Sequence, residues 1–219
     1  MRDFEFSFKA LDAYSNSLPY ESFSSIEMLL MAELNKLKTH YNFPAIHVNI
    51  GSYIKFSIHD WKPKVIFEMG SGYGHSAFWY LSSGCSSIEK IFLTEKRTDL
   101  SQSFESLPWP KEWKDKLDYY QGDAFDRLSE ISLIDLCLID GVKSDYLQFL
   151  TKVSCKMNKG GIVLIDNSYW RGSFLDAEVL SKKKSAQKIK ELHDYIKTSL
   201  EWDAVFLPFL DGLSVLRKL

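Results

Sequence analysis

The sequence predicts a doubly wound α/β fold: a mostly parallel sheet with helices on both faces and an antiparallel hairpin strand at the C-terminus. Short apolar runs, "VIFE", "IFLTE", "LIDLCLID", "GIVLID", "AVFLPF" and "LSVLRKL", alternate with helical or loop segments from Val65 onward. Runs apolar on both faces and separated by crossovers are what a parallel sheet covered on both sides requires. Four of them end in an acid, Glu68, Glu95, Asp140 or Asp166, at the carboxyl edge where open α/β sheets bind ligands. After the first run come glycines at every second position, Gly70, Gly72 and Gly74.

The elements follow in order. "SSIEMLLMAELNKLKTHY" sets Ile26, Leu29, Leu30, Leu34, Leu37 and Tyr41 at helical spacing, an amphipathic helix ahead of the main fold. "VIFE" is the first strand, and a helix starts near Ser76. "IFLTE" is the second strand. Lys96 to Leu117, with Pro108, Trp109, Pro110 and Trp113, reads as a loop. "LIDLCLID" and "GIVLID" are further strands. In "SKKKSAQKIKELHDYIKTSL", Ala186, Ile189, Leu192, Ile196 and Leu200 share one helix face and lysines the other. The last two runs are joined by "LDG", a hairpin that makes one antiparallel edge strand.

The 219 residues, 45% hydrophobic, suffice for one domain, 1–219. With 27 basic against 29 acidic residues the net charge is −2, so no global field recruits nucleic acid or an anionic membrane. Cys85, Cys137 and Cys155 are odd in number, as in a reducing compartment. "MRDFEFSFKALDAY" has no signal-peptide apolar core, and no segment has the length of a membrane span. The expectation is a soluble cytoplasmic protein.

The acids and glycines suggest chemistry. Gly70, Gly72 and Gly74 permit a sharp exit from the first strand and bring backbone N–H groups against a ligand, with the positive end of the next helix aimed at the pocket. The spacing G-x-G-x-G, with His75 after it, fits a pyrophosphate cradle poorly, which counts against a nicotinamide-dependent reductase. Glu95 stands where a doubly wound fold places the acid that binds ribose hydroxyls. Asp140, Asp166 and Asn167 give hard oxygen ligands able to converge on one small cation, suited to Mg²⁺, Mn²⁺ or Ca²⁺ rather than zinc. Lys143, three residues past Asp140, reaches the same pocket as a candidate general base.

"EMGSGYGHS" resembles motif I of the class I methyltransferases that use S-adenosylmethionine. Together with "TEK", "GDAFDRL", "LIDGVKSDY", "GGIVLIDNSYWRG" and "LPFLDGLSVLRK", it is similar to the cation-dependent O-methyltransferases that include catechol and caffeoyl-coenzyme A O-methyltransferases. The resemblance runs from about Val65 to the C-terminus and implies a seven-stranded, Rossmann-like methyltransferase sheet. It also implies S-adenosylmethionine lined by Glu68, Gly70, Gly72, Gly74, Ser76, Glu95, Asp123, Ala124 and Asp140. Asp140, Asp166 and Asn167 would hold the metal, Lys143 would be the catalytic base, and Tyr169 and Trp170 would wall a flat acceptor. Residues 1–60 would be a helical region covering that acceptor, and the protein a homodimer. The implied reaction is methyl transfer to a metal-chelated, catechol-like small molecule. Some bacterial relatives methylate a hydroxylated wobble uridine in tRNA, a second reading in which "SKKKSAQKIK" meets phosphate. A third is a binding protein that keeps S-adenosylmethionine without catalysis, and the intact Asp, Lys and Asp-Asn set argues against it.

Overall fold

The computed structural model describes residues 23–208 and 211–219. "MRDFEFSFKALDAY" lies outside them, as do Phe209 and Leu210 of the hairpin connection. The elements run α1 (Ser25–Tyr41), α2 (Val48–Trp61), β1 (Val65–Met69), α3 (His75–Leu81), β2 (Lys90–Glu95), α4 (Thr98–Ser106), α5 (Lys111–Lys114), β3 (Leu117–Gln121), α6 (Ala124–Glu130) and β4 (Ile134–Ile139). A 3-10 turn (Lys143–Asp145) leads into α7 (Tyr146–Ser154) and β5 (Met157–Asp166), and a second (Trp170–Gly172) precedes α8 (Ala177–Lys182), α9 (Lys184–Thr198), β6 (Trp202–Leu207) and β7 (Leu213–Lys218).

The seven strands form one sheet in the order β3-β2-β1-β4-β5-β7-β6. β3, β2, β1, β4 and β5 pair in parallel, and β7 runs against both β5 and β6. Strand order reverses between β1 and β4, the place where a crevice opens beyond the carboxyl ends. The apolar runs reflect burial on both faces. Ile66, Leu136, Leu138, Ile162 and Leu164 pack under α1, α2 and α3, while the alternating Phe67, Cys137, Ile139, Val163 and Ile165 pack under α6, α7 and α9.

Several expectations are corrected. β7 is not the edge strand: it inserts between β5 and β6, and β6 takes the edge. β3 was invisible as an apolar run because, at the opposite edge, none of its residues is buried. Lys96 to Leu117 holds two helices, α4 anchored by Leu100 and Phe104. On α1 the inward stripe is Leu30 and Leu34, with Leu37 and Tyr41 partly buried. Ile26 and Leu29 are 59% and 66% exposed; Leu29 lies roughly 100° round the helix from that stripe. α9 ends at Thr198 and Ser199 is extended, so Leu200 leaves the apolar face and is exposed.

Candidate active site

A cavity of about 850 Å³ opens at the carboxyl edge of the sheet, within the usual range for a small-molecule site. Its walls come from the ends of β1, β2, β4 and β5, from the loop before α6, and from Phe43 and Pro44 between α1 and α2. Glu95 on β2 and Asn167 after β5 are three strand spacings apart, roughly 14 Å at about 4.8 Å each, so the cavity is elongated across the sheet.

The glycine loop leaves β1 with Gly70, Gly72 and Gly74 all at positive φ (88°, 54° and 87°), a region that L side chains rarely enter. It packs closely from behind. A Cβ on Gly72 would fall 2.6 Å from the Phe43 ring, and one on Gly74 would fall 2.8 Å from Phe104. Tyr119 donates its hydroxyl to the Gly72 carbonyl. The Gly72 N–H goes to Glu95 Oε2 (3.1 Å), and Arg97 N–H to Oε1 (2.9 Å), so backbone donors hold the Glu95 carboxylate at the cavity wall. Neither the Lys96 nor the Arg97 side chain forms an ion pair with it. Lys96 pairs instead with Asp123 (2.8 Å), whose Oδ1 caps α6 by accepting Phe125 N–H.

Glu68 is buried beneath this loop. The Ser76 hydroxyl donates to it (2.6 Å to Oε2), and so does that of Tyr80 (3.3 Å). Burial pushes its carboxyl from 4.5 up to about 8, against the pull of Ser76 and with the charge of Asp140 adding to the rise. An acid with a raised folded pKa takes up a proton on folding. Its stabilising contribution is therefore complete below about pH 4 and is lost as pH rises to about 8. At about 1.4 kcal/mol per unit, this costs on the order of 3 kcal/mol between pH 5.5 and 8. Glu68→Gln, neutral and of the same shape, should flatten that stretch of the stability profile in urea melts. If the variant keeps the wild-type slope, Glu68 is ionised throughout and the assignment is wrong.

At the β4 and β5 ends, the Asp140 N–H donates to the Met69 carbonyl (3.0 Å), tying the turn after β4 to β1. Asp166 ends β5, and Asn167 turns the chain in the left-handed region (φ 51°), its N–H donating to Asp166 Oδ1 (2.6 Å). Asn tolerates this conformation better than other side chains. Lys143 Nζ reaches across to Asn167 Oδ1 (2.9 Å) and Asp140 Oδ1 (3.5 Å). It also donates to the Tyr146 hydroxyl, which in turn donates to the Asp166 carbonyl (3.2 Å). Burial raises the Asp140 carboxyl despite the nearby Lys143 ammonium. Burial, with Asp140's charge added, raises that of Asp166 to about 7. The charge of Asp140 thus opposes ionisation of Asp166.

Among the described residues no group of three His, Cys, Asp or Glu side chains is placed to hold a metal. Lys143 Nζ bridges the Asp140 carboxylate and the Asn167 amide oxygen, whereas the Asp166 carboxylate stands behind the cavity wall with its Oδ1 accepting the Asn167 N–H. Oxygens of this kind are hard and suit Mg²⁺ or Ca²⁺.

Of the sequence-predicted residues, Gly70, Glu95, Asp123, Ala124, Asp140, Lys143, Asn167 and Trp170 line the cavity. Glu68, Gly72, Gly74, Ser76 and Asp166 stand behind its wall. Tyr169 does not line it: the ring lies against Gly212, where a Cβ would fall 2.4 Å from Tyr169 Cγ, and faces His193. Phe43, Pro44, Asp145, Arg171, Lys184 and Asp211 also line the cavity and were missed. Lys184 opens α9 and the others come from turns and connections whose reach depends on tertiary packing; the turn-forming "NFP" after the first helical pattern is the local signal.

The comparisons with known proteins agree with this architecture. A family model described as O-methyltransferase matches residues 21–219. A SAH-bound methyltransferase of Podospora anserina, PaMTH1, is similar in structure with a TM-score of 0.80 at 20% identity, covering 98% of this chain and 97% of that one. The O-methyltransferase TomG of Streptomyces achromogenes, involved in tomaymycin synthesis and in complex with SAM, gives 0.78 at 17% identity over 95% and 96%. An O-methyltransferase of Bacillus cereus in complex with SAH gives 0.78 at 18% over 95% and 97%. No curated protein matches. Identities this low speak to the fold, whereas the family match spans all but the first twenty residues: the chain belongs to the O-methyltransferase family.

Proposed function

We propose that this protein transfers the methyl group of S-adenosylmethionine to a hydroxyl of a small acceptor presenting two vicinal oxygens, as a catechol does, in a reaction that requires Mg²⁺ (or Mn²⁺ or Ca²⁺). The observation that carries this reading is the meeting of Lys143 Nζ with the side chains of Asn167 and Asp140 at one end of the cavity, three strands from Glu95. S-adenosylmethionine would supply the sulfonium methyl, and Asp140, Asp166 and Asn167 would hold the cation, whose charge would lower the pKa of the acceptor hydroxyl.

The chain's own residues do the rest. Glu95, fixed by two backbone N–H groups, accepts hydrogen bonds from ribose hydroxyls, with Asp123 and Ala124 beside the adenine. Glu68, Gly72, Gly74 and Ser76 shape the loop from behind, and Gly70 with Asp140 flanks the donor. Lys143, in its neutral amine form, takes up the proton of the attacking hydroxyl and becomes the ammonium, its nitrogen positioned by Tyr146 and Asn167. Trp170 offers a flat wall to an aromatic acceptor. Positioning donor and acceptor in line is the main catalytic contribution.

Chelation tests the cation requirement. Protein stripped with EDTA should bind S-adenosylmethionine yet transfer no label from it to catechol, and excess Mg²⁺ should restore transfer. Undiminished turnover in EDTA would remove the metal from the mechanism.

A further inference from the structure

We infer that the acceptor carries an acidic group, a carboxylate or a phosphate, seated between Arg171 and Lys184 at the Lys143 end of the cavity. This rests on the methyl-transfer reading for the word acceptor, but the subsite stands on its own geometry.

Both side chains line the cavity. Arg171 follows directly on Trp170, whose ring lies 5.6 Å from Lys143 Nζ. Lys184 opens α9, which packs against the 3-10 turn carrying Lys143. Both residues therefore belong to elements at the Lys143 end of the cavity rather than the Glu95 end. Among the described residues neither Arg171 nor Lys184 has an ion-pair partner, whereas Lys182, Lys188 and Lys190 nearby in sequence are paired. The neighbouring acids are already engaged by neutral donors or by Lys143. Asp211 Oδ1 accepts the backbone N–H of Arg171, Asp145 Oδ1 accepts the Ser144 hydroxyl (2.9 Å), and Asp140 faces Lys143.

Backbone strain points to the same place. Trp170 (φ 44°), Arg171 (φ 56°) and Gly172 (φ 66°) are three consecutive residues in the left-handed region, and two of them carry side chains that disfavour it. Such outliers persist where surrounding contacts enforce them, often at ligand clamps. Here the Asp211 carboxylate holds the Arg171 N–H and the Asn167 carbonyl holds that of Trp170 (3.1 Å). The turn thus brings a planar ring and a guanidinium to the same cavity, which suits an aromatic acid, and a guanidinium recognises carboxylate or phosphate through paired N–H groups. The first turn of α9 adds N–H groups that no side chain caps. The lysine run "SKKKSAQKIK" divides accordingly: Ala186 and Ile189 turn into the core, Lys188 and Lys190 pair with Glu191 and Asp194, and Lys184 faces the cavity.

The experiment uses phenyl phosphate, benzoate and phenol as probes in calorimetry without Mg²⁺ or S-adenosylmethionine, on the wild type and on an Arg171→Ala/Lys184→Ala protein. At least one acid should bind the wild type at least ten-fold more tightly than phenol, and the double substitution should erase that difference. Which acid binds separates phosphate from carboxylate, and displacement of phenyl phosphate by tRNA at low salt would assign the phosphate to a polynucleotide. Acids that bind no better than phenol, or bind both proteins equally, overturn the subsite. A second arm compares kcat/KM for 3,4-dihydroxybenzoate and catechol. A preference for the acid that collapses in the double variant supports the subsite. Methylation of both with equal efficiency, unchanged in the variant, removes the subsite and leaves methyl transfer standing. Methylation of neither, with Arg171- and Lys184-dependent binding of an acid, does the reverse.

Discussion

Lys143→Ala should lower methyl transfer about 10²–10⁴-fold, the usual worth of a positioned base, while S-adenosylmethionine affinity stays within a few-fold of wild type. The separation is expected because the residues assigned to ribose and adenine, Glu95, Asp123 and Ala124, touch neither Lys143 nor its partners. Alanine alone leaves an ambiguity, since it also deletes the ammonium that faces Asp140 and so leaves the two raised carboxyls, Asp140 and Asp166, harder to ionise. Lys143→Arg resolves it. A guanidinium keeps the positive charge but does not give up a proton near neutrality. If Lys143 is the base, Lys143→Arg is as slow as Lys143→Ala at saturating Mg²⁺. A Lys143→Arg enzyme retaining a third of wild-type turnover would show that charge, not proton removal, is what the residue supplies.

Much of the frame was legible because burial leaves a dense trace. β1, β4 and β5 are covered on both faces, so Ile66, Phe67, Leu136, Cys137, Val163 and Leu164 all had to be apolar. The parallel sheet and its acidic rim followed from those runs. The spacing of Asp140 and Lys143 was legible for a related reason: a short turn after a strand end fixes where both side chains can go. What was lost lies where burial is partial or reach is long. β3, at an edge and without a buried residue, has no apolar signature, and the pairing of β7 with β5 rather than at the edge depends on how the hairpin docks, which local pattern does not encode. Phe43 and Arg171 enter the cavity from connections, and Lys184 from the start of α9, whose paths are set by packing between distant elements. Tyr169 and Trp170 are adjacent, and only the positive φ at Trp170 and Gly212's lack of a Cβ decide which ring meets the cavity.

Gly70→Ala should be the most damaging single methyl in the protein. Gly70 sits at φ 88°, which costs a side-chain-bearing residue about 1–2 kcal/mol. The larger effect is steric. A Cβ there would lie 2.2 Å from the Asp140 carbonyl oxygen, 2.9 Å from its carbon and 3.1 Å from Gly141 Cα. All of these are backbone atoms just past the end of β4, which is tied to β1 by the Asp140 N–H bond to Met69. No flexible side chain can yield, so β1 and β4 must part at the switch point, and overpacking of this kind adds about 1–3 kcal/mol or more. The sum, on the order of 2–5 kcal/mol, is a large share of the 5–15 kcal/mol that holds a typical domain folded. Gly84→Ala supplies the control. Its φ of 68° imposes a comparable backbone penalty, but nothing lies within 4 Å of the added methyl, so it should lose only about 1 kcal/mol. Urea denaturation of the two variants therefore separates conformation from collision. Equal losses would mean that β1 and β4 part easily, and then the close approach of Gly70 to Asp140 cannot be what positions Asp140 beside Lys143. Where Gly70→Ala still folds at low temperature, displacement of Asp140 should weaken Mg²⁺-dependent acceptor binding, while Gly84→Ala, far from the cavity wall, should bind as the wild type does.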